Sequence, residues 1–515
     1  MSLTRHRGGM RSPRILAVGA ALALALSACA APAPGNDADA EETPLTGKLV
    51  VAQTADTRSL FANSATAQPE INISEQITEK LIEFSADGKS FEPRLAEKWE
   101  QIDPVTLHLT LRDGVTFTNG EEFSAESAAF SLEIMRNAAA YASFTSAISD
   151  VQVVDESTVA VISDGPSDLI MASLAMGSFQ YPKEYFEEVT QEGFATDPIG
   201  TGPFKLKEWK KGVRIDLVRN DDYWDGAPAL EEIEFRIIPE KTAQVAALQA
   251  GEVDLVQDVV HGSRKQVDDA DGIDLVTRPS SRIYYAFFNT LVDGPLQNPK
   301  VRQALQYAID VEALIDGALG GYGTPLKGQV GMESMFGFDE KRKATPYDPE
   351  KARKLLAEAG YPDGFELPFE YSPGNFKEVG QAMASQLEDV GISVKQEMLE
   401  PGTALQNIIT KEMKGLTYWG LLTPPDEHFV YQQFESNFRY SYYQNPVIDD
   451  LLARELASGD RDERKKIFIE MLDEFDKDPA YIPLFQSVDA YGVAQGVSGF
   501  EPRASQFIDL RTVKN

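Results

Sequence analysis

A chain of 515 residues with one cysteine, Cys29, has to hold its fold without an internal disulfide. Its stability then rests on buried apolar surface, and 43% apolar residues supply enough for a sizeable core. The place of that cysteine constrains the chain further. Arg5, Arg7, Arg11 and Arg14 precede twelve apolar or small residues from Ile15 to Leu26, and Leu26-Ser27-Ala28-Cys29 follows. This basic, apolar, small-residue order is that of a secretory signal. Twelve helical residues span roughly 18 Å, well short of a ~30 Å hydrocarbon core, so cleavage is expected rather than a membrane span.

Residues 1–28 carry four of the 48 basic residues and none of the 81 acidic ones. The formal charge of −33 therefore becomes more negative once they are removed. Such a balance argues against nucleic-acid binding, which needs clustered Lys and Arg, and suits a soluble body outside an anionic membrane. Ala30–Thr46 is rich in Ala, Pro, Asp and Glu and lacks aromatics, so 29–46 reads as an anchor point and flexible tether with a reach of roughly 20–25 Å. The remainder is long enough for two or three domains.

Folding is expected to begin near Gly47, with a strand over Lys48–Ala52. Leu107, Leu109 and Leu111 alternate with polar residues, which predicts a half-buried strand. Val213, Ile215 and Leu217 predict another. Ser124 is placed to cap a helix with Phe130 and Ile134 facing inward, and Lys241–Ala250 reads as a helix closed by Gly251. In the second half Pro299, Asp348-Pro349 and Asn445-Pro446 mark helix starts. The stripe Val379, Met383, Leu387, Val390 and the set Ile467, Met471, Leu472, Phe475 predict further helices. Strands and helices mix throughout, so the class is α/β.

Two resemblances add to this reading. The N-terminal segment resembles a bacterial lipoprotein signal, which implies that Cys29 becomes the lipidated first residue of the mature chain. Four stretches in order resemble the extracytoplasmic solute-binding proteins of ABC importers, family 5, the peptide/nickel/opine type. They are Leu95-Ala96-Glu97-Lys98-Trp99 leading to Phe123-Ser124-Ala125-Glu126, and Gly200-Thr201-Gly202-Pro203-Phe204 through Asn220-Asp221-Asp222-Tyr223-Trp224 to Val253-Asp254. Phe288-Asn289-Thr290 with Val301-Arg302-Gln303-Ala304-Leu305 is the third, and Tyr347-Asp348-Pro349 through Gly360-Tyr361-Pro362 the fourth. The glycines, Arg302, Trp99 and Trp224 are expected to shape turns and brace the fold rather than touch a ligand.

The resemblance implies a two-lobed periplasmic-binding-protein-like fold (type II) around a central cleft. Residues 47–79, 195–284 and 490–515 would form the core of the first lobe, 80–194 an inserted subdomain, and 285–489 the second lobe. It implies a monomer that binds a small molecule or peptide, needs no cofactor and hands its cargo to permease subunits with associated ATPases. The expected wall of the pocket is Trp419, Gly420, Leu421 and Thr423, in a stretch that peptide-binding members use as an edge strand. Those members often carry an aspartate three residues after the tryptophan. Leu422 stands there, and Asp426 is the expected substitute. Tyr141 and Arg58 are expected to reach the cleft from the first lobe. Tyr285 and Phe287 share one strand face and Arg282 and Tyr284 the other, so only one pair is expected to face it.

An enzyme is not expected. The sequence has no H-E-x-x-H, G-x-S-x-G or G-x-x-x-x-G-K-[ST], and His6, His108, His261 and His428 are its only histidines. Within the binding class, oligosaccharide, opine or nickel-chelate cargo stays open, with His428 the candidate metal ligand.

Overall fold

The computed structural model describes residues 47–515 apart from 66, 140, 146, 166–168 and 373–376. The expected signal, Cys29 and the tether lie outside the described residues. No described helix is long and apolar enough to cross a membrane.

Two long antiparallel strands, Ile273–Phe288 and Tyr481–Ala494, organise the chain. They sit in the middle of an eleven-stranded sheet, in which the short strand Gly323–Pro325 pairs with Tyr481–Ala494 off the main order. On one flank, Leu255–Val256, Lys48–Gln53, Glu232–Ile237, Arg214–Arg219 and Phe204–Lys210 follow in that order. On the other flank come Leu416–Leu422, Glu366–Tyr371 and Ser393–Met398. The ladder between the long strands pairs Ile273–Pro279 with Val488–Ala494 and Ile283–Phe287 with Tyr481–Gln486, and it is interrupted at residues 280–282. Side chains replace the missing rungs: Gln486 Nε2 donates to the Ser280 carbonyl at 2.7 Å, and Ser487 Oγ to that of Arg282 at 3.3 Å. Past the break, strand periodicity divides two cores. Tyr284, Ala286 and Phe288 enter one, with the helices Pro299–Tyr307, Val311–Leu319 and Lys377–Asp389. Ile283, Tyr285 and Phe287 enter the other, with Pro446–Ala457 and Arg461–Lys477.

A separate four-stranded sheet lies within the first half, in the order Ala96–Asp103, Thr106–Leu111, Thr158–Ser163, Ile148–Asp155. Leu107, Leu109 and Leu111 are all buried on it, as their alternation requires. Ser124 caps the helix Ala125–Asn137 by accepting from Ser127 N. That helix turns Ala128, Leu132 and Met135 to this core, whereas Phe130 and Ile134 are half-buried on a flank, Phe130 edge-on to Phe186 at 5.7 Å. The expectation for that face is corrected by about one turn position. Val213 is likewise outside the strand Arg214–Arg219 and exposed, while Ile215 and Leu217 are fully buried. Asp348 and Asn445 cap their helices as expected.

Residues quoted for the resemblance converge on one carboxylate. Buried Glu79 accepts from Arg94 at 2.6 Å, Tyr223 at 2.7 Å, Trp224 Nε1 at 2.8 Å and Thr201 at 2.9 Å. Four donors satisfy the charge and tie three distant segments together. Gly200 and Gly202 run so close to the end of the helix Gln68–Ile77 that a Cβ would lie 2.0 and 2.5 Å from the Ile77 carbonyl oxygen. Arg302 is buried and donates to the carbonyls of Pro479 and Leu296 and to Asp478, which makes it a brace.

Candidate functional site

The strand Leu416–Leu422 pairs antiparallel with Arg282–Phe288 along its full length. Its other edge is paired with Phe369 and Glu370 only as far as Thr417. From Trp419 to Leu422 that edge has no ladder partner among the described residues, the kind of edge that an incoming strand can extend. Trp419 and Leu421 project to the same face as Tyr285 and Phe287 on the neighbouring strand, since Trp419 sits opposite Tyr285 and Leu421 opposite Ile283.

These side chains line a cavity of about 470 Å³ together with Phe429, Phe434, Tyr440 and Tyr442. The volume is that of a small-molecule site. Phe287 stacks on Tyr442 with ring centroids 5.6 Å apart, and Tyr285 meets Phe434 edge-on at 6.0 Å. Burial raises the Tyr285 phenol well above its ordinary pKa, so it stays neutral. Gln432, Gln433 and Arg439 supply the polar groups, and Arg439 is the one charged residue among those lining the cavity. Its guanidinium lies over the Tyr440 ring, 4.4 Å from the centroid. A smaller cavity of about 120 Å³ adjoins, sharing Leu422, Thr423 and Pro424, and contains Tyr141, Ser281, Ser505 and Phe507.

The structure therefore gathers Trp419, Gly420, Leu421, Thr423, Tyr285 and Phe287 around one cavity and places Tyr141 on the next. Gly420 has a packing reason as well: a Cβ there would come within 2.3 Å of the Tyr284 ring on the paired strand. Thr423 is buried and donates its hydroxyl to the Pro424 carbonyl at 3.2 Å.

Two expected site residues are elsewhere. Arg58 is largely exposed and holds Glu70 in an ion pair at 2.7 Å, because Glu70 lies one helix turn into the following helix and meets it first. Asp426 turns inward and receives Arg464 at 3.1 Å on both oxygens. The Arg464 guanidinium also binds Glu455, and Glu455 receives the His428 ring nitrogen Nδ1 at 2.8 Å. Burying two carboxylates in this interior is tolerable only with such pairing, so Asp426 is spent on anchoring its own loop. The same network claims His428, which lines neither cavity. The two faces of the crossing strand are both occupied in this sense: each meets a cavity, since Arg282 and Tyr284 line a third on the opposite side.

The sequence pattern of the bacterial extracellular solute-binding proteins, family 5 (middle region), matches residues 90–441. The chain belongs to that family. Among relatives of this family 5 protein, heme-binding protein A of Haemophilus influenzae is 27% identical over 466 residues, covering 83% of this chain and 84% of the relative. The glutathione-binding protein GsiB of Salmonella typhi is 29% identical over 421 residues, covering 77% and 81%. Among solved structures, the ABC transporter substrate-binding protein CtaP of Listeria monocytogenes superposes with a TM-score of 0.83 at 26% identity, covering 91% of this chain and 99% of that one. The fold is thus the two-lobed one of family 5, and the chain is an ABC-transporter substrate-binding protein.

Gln432, Gln433, Arg439 and Tyr440 are cavity residues that the sequence reading missed. Their signal was the run of aromatic and amide side chains from Phe429 to Tyr443, too dense for a solvated loop. Leu422, by contrast, stands where the resemblance placed an absent carboxylate, and it lines both cavities.

Proposed function

We propose that this protein captures a small organic solute, by default a short peptide, in the adjoining cavities around Leu422 and delivers it to an ABC permease from an extracytoplasmic position, tethered through a lipid on Cys29. The observation that carries this reading is the edge of Trp419–Leu422, without a ladder partner among the described residues, beside a 470 Å³ aromatic cavity. An extended peptide satisfies its backbone on such an edge while side chains fill the aromatic space. The two long strands would be the crossings between lobes, with 47–79, 195–284 and 490–515 on one side, 285–489 on the other and 80–194 as the inserted subdomain. A solute touching both sides favours the closed form only by its differential affinity for it.

The larger cavity carries Arg439 and no carboxylate. A solute part bound there is apolar or aromatic with an anionic or neutral end, which disfavours a free ammonium at that place. The relatives' named cargoes, heme and glutathione, both carry carboxylates, in line with this lining. Mass spectrometry of material released on denaturing freshly purified protein tests the reading. Recovery of a peptide, with calorimetric binding weakened tenfold or more by Trp419→Ala, is the expected result. A sugar without peptide would remove the default cargo, and no bound solute of any class would remove capture itself.

A further inference from the structure

The third cavity, of about 320 Å³, lies against the Arg282 and Tyr284 face of the long strands, with Asp489 in its wall. Asp489 is 6% exposed, and its Oδ2 has no hydrogen-bond partner among the described residues, although the Ser280 hydroxyl is near enough to lower its pKa somewhat. Its Oδ1 accepts from Gln506 Nε2, and Gln506 Oε1 accepts from the Arg282 guanidinium at 3.2 Å. Gln506 thus bridges a buried carboxylate and a guanidinium that makes no ion pair among the described residues.

Leaving one oxygen of a buried carboxylate unanswered is costly, and burial pushes the Asp489 pKa up to about 7. The other carboxylate on the wall, Asp258, is already ion-paired with Lys241. The backbone marks the same place. Among the described residues the non-glycine positions with positive φ are Thr190, Asp258, Lys411 and Gln506, and Asp258 and Gln506 both line this cavity. Such conformations are disfavoured for residues with a Cβ and gather at ligand sites.

Arg264 is on the same wall and donates to the Val259 and Val488 carbonyls, so a purely cationic ligand would face Arg264 and Arg282, and a purely anionic one would face Asp489. A ligand carrying both charges side by side meets each with its opposite. We propose that this cavity is a solute subsite for an α-amino-acid head group, its ammonium donating to Asp489 Oδ2 and its carboxylate held by Arg282, with Gln506 spacing the two. The assignment rests on the capture reading above and gives the protein a second, charged place for a solute on the opposite face of the sheet. A single loop links the sites, because Ser505 and Phe507 line the cavity that holds Tyr141 while Gln506 lines this one.

The test titrates the ligand-free full chain by calorimetry with the free L-amino acids, γ-glutamyl dipeptides and reduced glutathione. All of these present ammonium and carboxylate on one carbon. At least one is expected to bind, with its N-acetyl and α-amide derivatives weaker by about tenfold or more, the scale of a lost charge-assisted hydrogen bond. Asp489→Asn is expected to weaken the free compound to the level of its N-acetyl form and to leave the latter unchanged. Arg282→Gln should act likewise toward the α-amide. The derivative comparison on unaltered protein stands even where a variant folds poorly. The proposal is overturned if no such head group binds, if acetylation and amidation cost nothing, or if both variants bind as the parent does. A solute lost in Trp419→Ala yet indifferent to both rear-cavity substitutions keeps capture and removes this subsite, whereas the absence of any bound solute removes both.

Discussion

Asp489 shows how one side chain can set a pH dependence. Its pKa is about 7 in the fold against an ordinary 3.8, raised by burial. Between those values the folded chain holds a proton that the unfolded chain has lost, so this group's contribution to stability falls as pH rises from about 4 to 7 and is flat above. The difference reaches at most about 4 kcal/mol, from about three pKa units. Asparagine keeps the acceptor for Gln506 without the charge. In ligand-free protein, Asp489→Asn is expected to raise the thermal midpoint relative to the parent at pH 8, by less at pH 5, and to converge with it near pH 4, as measured by scanning calorimetry. Equal offsets at both values would refute the buried, half-ionised carboxylate. The residue scale is also where the sequence was least legible. Asp426 and Leu422 stand four residues apart in one loop region, yet one is claimed by Arg464 from 38 positions further on and the other by two cavities. Nothing local in Pro424-Pro425-Asp426 announces that partner.

At the scale of elements, what is local was legible. Ser124, Asp348 and Asn445 each cap the helix that follows, because a side-chain acceptor beside the first free N–H groups is a short-range matter. The error at Phe130 and Ile134 has a long-range cause: the aromatic group around Phe61, Tyr181 and Phe194 covers that flank and competes with the core for apolar residues. The pairing of Leu416–Leu422 with the crossing strand is set by its hydrophobic pattern together with one small residue. Gly420 lies opposite Tyr284, whose ring occupies the space of a Cβ. Gly420→Val is expected to destabilise the protein by about 1–3 kcal/mol in equilibrium denaturation, the usual cost of overpacking, and to weaken solute binding by displacing Tyr284. A valine variant with the parent's midpoint and affinity would show that the ring yields freely.

For the whole molecule, family and fold class were legible because several stretches occur in the right order, each pinned by a structural task such as the four donors on Glu79. The cargo was not legible, because its walls come from strands, loops and helices far apart in the chain. Small-angle scattering is the measurement that belongs to this scale. Addition of a bound solute is expected to reduce the radius of gyration, since a ligand touching both sides selects the closed form, and Trp419→Ala should abolish that change at the same solute concentration. An unchanged profile at saturation would mean that capture proceeds without closure.

The gap at 280–282 between the long strands has a mechanical meaning. A sheet continuous across both halves would resist shearing with every rung it owned. Here the ladder between the two long strands stops on either side, and side-chain bonds from Gln486 and Ser487 bridge the interval, while Ser281 donates to the Ala504 carbonyl and accepts from Thr423 N. The proposed swing of one half against the other is expected to load these few bonds first and to leave the long ladders whole.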